Sequence, residues 1–202
     1  MRDNLKNIIF DVGDVLLEYR WQDMMMDHGL TEEESLKLGD MIFNNNLWNI
    51  LDLGTMSHDE VVQEYARLYP EHAKEITWFL NHGEQMVVNR PDVWSYIPKL
   101  RAHGYKVYLL SNYSENLFMK HTKDADFMNN IDGKVVSYEI HKTKPDPAIY
   151  QYLLTQYGLK AEECLFFDDR KDNTAAAVKQ GIEAITVTSK EQLKQELQEL
   201  LK

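Results

Sequence analysis

Apolar runs that stop dead at a polar residue constrain this chain more than any other feature. Ile8, Ile9 and Phe10 end at Asp11, the run from Val107 to Leu110 ends at Ser111 and Asn112, and Leu165, Phe166 and Phe167 end at Asp168 and Asp169. None of these runs alternates polar with apolar residues. That pattern belongs to strands buried on both faces of a parallel sheet. Strands are predicted at Asn7–Asp11, Lys106–Ser111, Gly133–Ser137, Glu163–Asp168 and Ala184–Val187. Helical stretches separate them: 91–103 stops at Gly104, 147–157 at Gly158 and 173–180 at Gly181, with prolines opening the first two. Glycine at a helix stop and proline in a first turn are the expected punctuation. The expected fold class is therefore α/β, a Rossmann-like parallel sheet of five or six strands. In such a sheet the ligand crevice lies at the carboxyl ends of the strands, where these runs end.

Residues 18–88 read differently. They show no convincing strand and carry two capping boxes, Thr31-x-x-Glu34 and Ser57-x-x-Glu60. Met24, Met25, Met26 and the aromatics around them read as packing rather than as a cofactor site. The layout predicted is a core domain of residues 1–17 and 89–202, interrupted after its first strand by a helical module at 18–88. The tail from Ser189 to Leu201 reads as a capped amphipathic helix.

Net charge narrows the partners. At −11, with a sequence pI near 5.1, the chain has no basic excess to neutralise phosphates, which argues against nucleic-acid or anionic-membrane binding. A lone cysteine, Cys164, excludes an intrachain disulfide framework. The opening MRDNLKN lacks an apolar signal region, and no stretch approaches the ~20 apolar residues of a membrane helix. The expectation is a cytoplasmic protein, monomeric or weakly dimeric.

Taken singly, the polar endings say little. An aspartate also serves simply to end a strand, Ser111–Asn112 also suits a turn, and Asp169 and Asp172 also suit the dipole of the next helix. Lys144 stands before Pro145, which biases it to extended backbone. Their order is more specific. Asp-x-Gly-x-Val at 11–15, Ser111 after the second core strand, Lys144 within SYEIHKTKPDPAIY, and Phe-Phe-Asp-Asp at 166–169 resemble the haloacid dehalogenase (HAD) superfamily. The resemblance spans the whole chain. Within the superfamily it points to phosphatases with a helical C1-type cap, and to small bacterial enzymes acting on sugar phosphates such as alpha-D-glucose 1-phosphate.

That resemblance implies a magnesium-dependent phosphatase for a small phosphorylated metabolite, with Asp11 as nucleophile. It implies Mg2+ held by Asp11, the Gly13 carbonyl and Asp168. Ser111 and Asn112 would bind the phosphoryl group, and Lys144 would offset its charge. Asp169 and Asp172 are candidates for water-mediated contacts. His141 stands where relatives carry glycine and is given no catalytic role. Candidate specificity residues lie at Asn44–Trp48 and Leu53–Ser57, although Trp48 also reads as core. Arg90 reads either as a phosphate contact or as the partner of a carboxylate in the helical module.

One position departs from the pattern. Relatives usually carry a second aspartate two residues after the nucleophile, as general acid and base, and here that residue is Gly13. The readings left open are a substrate with an easy leaving group, partial substitution by Asp14, or a weak catalyst turned phosphometabolite- or protein-binding pseudophosphatase. A 2-haloacid dehalogenase ranks below these, because paired carboxylates at 168 and 169 build a cation site. Gly13→Asp is expected to restore the missing acid, provided the side chain fits.

Overall fold

The computed structural model describes residues 4–202. The chain runs through β1 (Asn7–Phe10), β2 (Leu17–Tyr19), α1 (Trp21–Asp27), α2 (Glu32–Phe43), α3 (Asn46–Leu53), α4 (His58–Leu68), α5 (Ala73–Asn81) and β3 (Val87–Asn89). It continues through α6 (Pro91–Trp94), α7 (Tyr96–Ala102), β4 (Lys106–Ser111), α8 (Glu115–Thr122), β5 (Gly133–Val136) and α9 (Ser137–Ile140). The last elements are α10 (Pro147–Tyr157), β6 (Cys164–Asp168), α11 (Lys171–Lys179), β7 (Glu183–Thr186) and α12 (Lys190–Glu199).

Five strands pair in parallel in the order β5-β4-β1-β6-β7. The first strand therefore lies in the middle. Later strands are laid to one side of it and then to the other, which makes a topological switch point at β1. Phe10 pairs with Leu109 and with Phe167, so Asp11 leaves the sheet between the ends of β4 and β6. Alternate residues feed two cores. Ile8, Phe10, Leu109 and Phe167 pack with Ile97, Leu100, Leu193 and Leu197 on one face. Ile9, Leu110 and Phe166 pack with Ile149, Leu153 and Ala177 on the other. Burial on both faces explains the unbroken apolar runs.

All five predicted sheet strands form, with ends shifted by one residue or none. The predicted helix 91–103 is broken at Ser95 into α6 and α7. Pro98 has no N–H to give the Trp94 carbonyl, so a continuous helix would lose that bond.

The larger difference lies in the insertion. Its two ends pair as an antiparallel ribbon, Leu17 opposite Asn89 and Tyr19 opposite Val87, where no strand was predicted. The predicted boundaries at 17/18 and 88/89 fall inside this ribbon. Each ribbon strand has three residues, with Glu18 and Val88 exposed, so neither carries an apolar run. Helices α1 to α5 lie between the two strands. Met24, Met25, Leu38, Ile42, Val61, Tyr65 and Phe79 are buried there, and both capping boxes form. Met24 and Met25 pack as expected, whereas Met26 is exposed.

Candidate active site

The carboxyl ends of β1, β4 and β6 bring Asp11, Ser111 and Asp168 together, all three buried. Asp11 Oδ1 accepts the Ser111 hydroxyl at 2.6 Å and its neighbour Val12 N–H at 2.7 Å. Lys144 Nζ stands 2.9 Å from the same oxygen. Asp11 Oδ2 receives no donor from any described residue. One carboxylate oxygen is thus held in place while the other is left free.

Lys144 arrives from the loop before α10. Its ammonium also donates to Asp168 Oδ2 at 2.6 Å and to the Leu110 carbonyl at 2.9 Å, so its three protons have three partners. Asn112 fixes the lysine backbone: its amide donates to the Lys144 carbonyl at 2.9 Å and accepts the Lys144 N–H at 2.7 Å. That use of the side chain ties Asn112 to the lysine loop and leaves its backbone N–H and one amide N–H uncommitted. Asn173 was not anticipated from sequence. Its amide donates to both Asp168 oxygens, at 2.9 and 3.1 Å, and its carbonyl accepts the Tyr150 hydroxyl.

Burial alone would lower the Lys144 pKa, but Asp11 and Asp168 outweigh it and hold the ammonium above its usual range. The acids run short of positive charge. Burial, with repulsion from Asp168 and Asp169, pushes Asp11 up to about 7 despite Lys144. Burial and the neighbouring Asp168 push Asp169 up to about 6. Ligand atoms of Asp11, Asp168 and Asp169 all lie within 4.8 Å of one another. An all-oxygen, charge-deficient cluster suits a small hard cation such as Mg2+. Asp169, expected only to make water-mediated contacts, is a full member of it. Asp172 sits in the first turn of α11, outside the cluster.

Gly13 is hemmed in by Tyr19. A Cβ on Gly13 would stand 2.4 Å from Tyr19 Cε2 and 2.9 Å from its hydroxyl. An aspartate there fits only if the Tyr19 ring shifts, the condition on which the expected gain from Gly13→Asp rests. Gly13→Asp is expected to cost about 1–3 kcal/mol of stability through overpacking. Combining it with Tyr19→Ala should recover part of that cost in thermal unfolding; strictly additive losses would remove the clash as the cause. Asp14 does not replace the missing acid. It adopts a left-handed φ of 50°, and its carboxylate accepts the Tyr19 N–H at 2.9 Å. Arg90 donates to the carbonyls of Asp14 and Val15 and pairs with Glu18 at 3.4 Å, so it braces the ribbon.

One cavity lies within the insertion and another between it and the segments after β4 and β5. The first, of about 180 Å³, is walled by Tyr19, Trp21, Phe43, Trp48 and Met86, and Trp48 edges onto Phe43 at 4.7 Å. The second, of about 680 Å³, includes Gly54 to Ser57 and His141 in its wall. His141 Nδ1 lies 2.7 Å from the Leu53 carbonyl, a docking contact. Burial pushes the Cys164 thiol up to about 11, which leaves it inert. No helix among the described residues is long and apolar enough to cross a membrane.

A parallel α/β sheet with a half-free carboxylate, a hydroxyl and a lysine at adjoining strand ends describes a hydrolase handling an anionic group. The chain belongs to the haloacid dehalogenase-like hydrolases, whose family model matches residues 5–181. It is 25% identical to the sesquiterpene phosphatase astK of Aspergillus oryzae, over 100% of this chain and 99% of that one. It is 26% identical to the D-ribitol-5-phosphate phosphatase of Bacteroides thetaiotaomicron, over 98% of each. It is 25% identical to the drimenol cyclase drtB of Aspergillus calidoustus over 96% of its length, but spans only 36% of that protein. Among solved structures, HAD family enzyme bt-2542 of Bacteroides thetaiotaomicron, in complex with magnesium and inorganic phosphate, superposes with a TM-score of 0.75. That match has 21% identity and covers 92% of this chain and 96% of the other, a likeness of fold.

Proposed function

We propose that the chain is a magnesium-dependent phosphatase that hydrolyses a small phosphomonoester through an aspartyl-phosphate on Asp11. The observation that carries this reading is the free Asp11 Oδ2, beside a carboxylate oxygen pinned by Ser111 and Lys144. Asp11 Oδ2 forms a bond to phosphorus as the ester oxygen departs, and water then releases phosphate and restores the carboxylate. The Asn112 backbone N–H, joined by the Ser111 hydroxyl when it turns from Asp11 Oδ1 to the substrate, orients the phosphoryl oxygens, and Lys144 offsets their charge. Asp11, the Gly13 carbonyl and the Asp168–Asp169 pair would hold Mg2+. Asp169 contributes most freely, since the one bond to its carboxyl comes from its own backbone. Bound Mg2+ screens the charge on the transferring group.

Residues 18–88 form the cap over a core of residues 1–17 and 89–202, closing the crevice over the leaving group. A sugar phosphate is the favoured substrate, with alpha-D-glucose 1-phosphate first to try. The relative named for D-ribitol 5-phosphate supports this class. Aromatic faces at Tyr19, Trp21 and Trp48 suit a sugar ring. Their cavity of about 180 Å³ is below the ~300–1,000 Å³ of pockets for drug-sized ligands, which favours a compact leaving group over a sesquiterpene chain.

Phosphate release from a panel of sugar, glycerol and aryl phosphates, with and without magnesium, tests the reading. Turnover is expected only with the metal, and fastest on a sugar ester. No release from any ester under either condition would sink the phosphatase, and 2-haloacids would then be tried.

A further inference from the structure

Leaving-group chemistry needs a proton donor that Gly13 does not supply, and the insertion presents one. On the reading of the site as a phosphatase, we propose that Asp52, on α3, is the general acid and base of the reaction. Trp48 and Asp52 are four residues apart on one helix and so share a face. Trp48 walls the aromatic cavity together with Tyr19, whose ring lies against Gly13. Asp52 stands one turn further towards the core, within the electrostatic reach of Lys144 and Arg170. Its backbone docks on Ser137 at the end of β5, beside Tyr113 in the loop that follows β4 and carries Asn112.

The helix end that carries it is held firmly. The Ser137 hydroxyl donates to the Asp52 carbonyl and accepts the Tyr113 N–H at 2.9 Å. Gly54 caps α3 in a left-handed conformation so close to Tyr138 that a Cβ there would meet its carbonyl at 2.9 Å. His141 and the Leu53 carbonyl add the third contact. The carboxyl itself is unengaged: no described residue donates a hydrogen bond to it. Nor is it sealed away. Among described residues, Asn116 Oδ1 alone is both closed to solvent and unpartnered. Asp52 as a residue is half-buried.

Its surroundings suit proton transfer near neutrality. Burial pushes Asp52 up to about 7, against the pull of Lys144 and Arg170. The phenols of Tyr19, Tyr65 and Tyr113 also face it. On the packed elements α4 and α9, Glu60 is turned to Ser57, Glu64 to Arg67, His58 to Asn81 and Glu139 to Lys134, which leaves Asp59 on the exposed first turn of α4. In the first step the Asp11–phosphorus bond forms, the ester P–O bond breaks, and the Asp52 proton passes to the leaving oxygen. In the second, water forms the new P–O bond, Asp11 is released, and the water proton returns to Asp52. The sum is ester plus water to alcohol plus phosphate.

The test compares Asp52→Asn and Asp52→Glu with the unaltered protein on glycerol phosphate and on p-nitrophenyl phosphate, whose leaving group needs no proton. Read in a single turnover, transfer of the phosphoryl group from the alkyl ester to Asp11 should slow ~10²–10⁴-fold in Asp52→Asn, the usual worth of a general acid, with a much smaller loss for the aryl ester. The losses to compare are those of this first transfer, since hydrolysis of the aspartyl-phosphate, which needs the base, is common to both. KM should hardly move, and the fall of kcat above pH ~7 should disappear, because the protonated form is then no longer required. Asp52→Glu, which keeps the carboxyl, should regain part of the alkyl turnover. Equal losses on both esters, a change in KM alone, or no loss would overturn the assignment while leaving the phosphatase standing. Failure of the unaltered protein to release phosphate from either ester would overturn both.

Discussion

Asp11→Asn is expected to abolish phosphate release, a loss on the order of 10⁴-fold or more for a missing nucleophile, with the fold intact. The geometry explains why the two effects separate. Every protein contact to this side chain goes to Oδ1, which asparagine keeps as a carbonyl oxygen. Only Oδ2 is replaced, and it serves no described residue. The substitution also removes one negative charge from a buried cluster already short of compensation. The melting temperature should therefore stay level or rise. Phosphate release by the variant at a tenth of the normal rate would exclude the covalent route, whatever its stability.

Lys144→Met should have the largest effect on stability. Methionine matches the length of the stem but removes the ammonium that Asp11 and Asp168 share at 2.9 and 2.6 Å. Deleting one side of a buried ion pair typically costs about 3–5 kcal/mol, because the partner is left charged and unsatisfied. The sign with pH follows from the carboxyls. Without Lys144 the Asp11 carboxyl, already raised by burial, loses the charge that pulls it down and rises further above its unfolded value. Stability is then full at low pH and is lost as pH rises through the folded values. Since Asp11 already stands near 7, the variant should be close to normal at pH 5 and weakest at pH 8 to 9. Denaturant unfolding across that range decides it; a cost that does not vary with pH would refute the charge argument. Turnover should be lost as well, by removal of the charge facing the phosphoryl group.

The sheet could be read from sequence because its strands are buried on both faces, which writes each one as an unbroken apolar run. β2 and β3 could not be read, because three half-exposed residues hold their shape only through each other. The split between α6 and α7 had a visible cause in Pro98. At the site, Asp11, Ser111, Lys144 and Asp168 were legible since each closes or follows a core strand, and the structure brings them together. Roles that depend on how distant segments meet were not. Nothing local at Tyr19 announces that its ring fills the space over Gly13. Asp52 shows only its i,i+4 relation to Trp48, and its importance arises where α3 docks on Ser137 to His141. Asn112 was read as a phosphoryl contact by its position, while its amide grips the lysine loop.

The paired ribbon has an evolutionary corollary. Leu17 and Asn89 face each other across the width of one strand pair, about 5 Å. A two-residue hairpin turn closes such a gap as readily as five helices do. Recombination at this doorway can therefore trade one insertion for another while the strands behind it keep their order. Such trades have a condition if Asp52 is the proton donor. A lineage with glycine at position 13 keeps its proton donor on the interchangeable part. Its choice of substrate and its power to expel a poor leaving group are then inherited together.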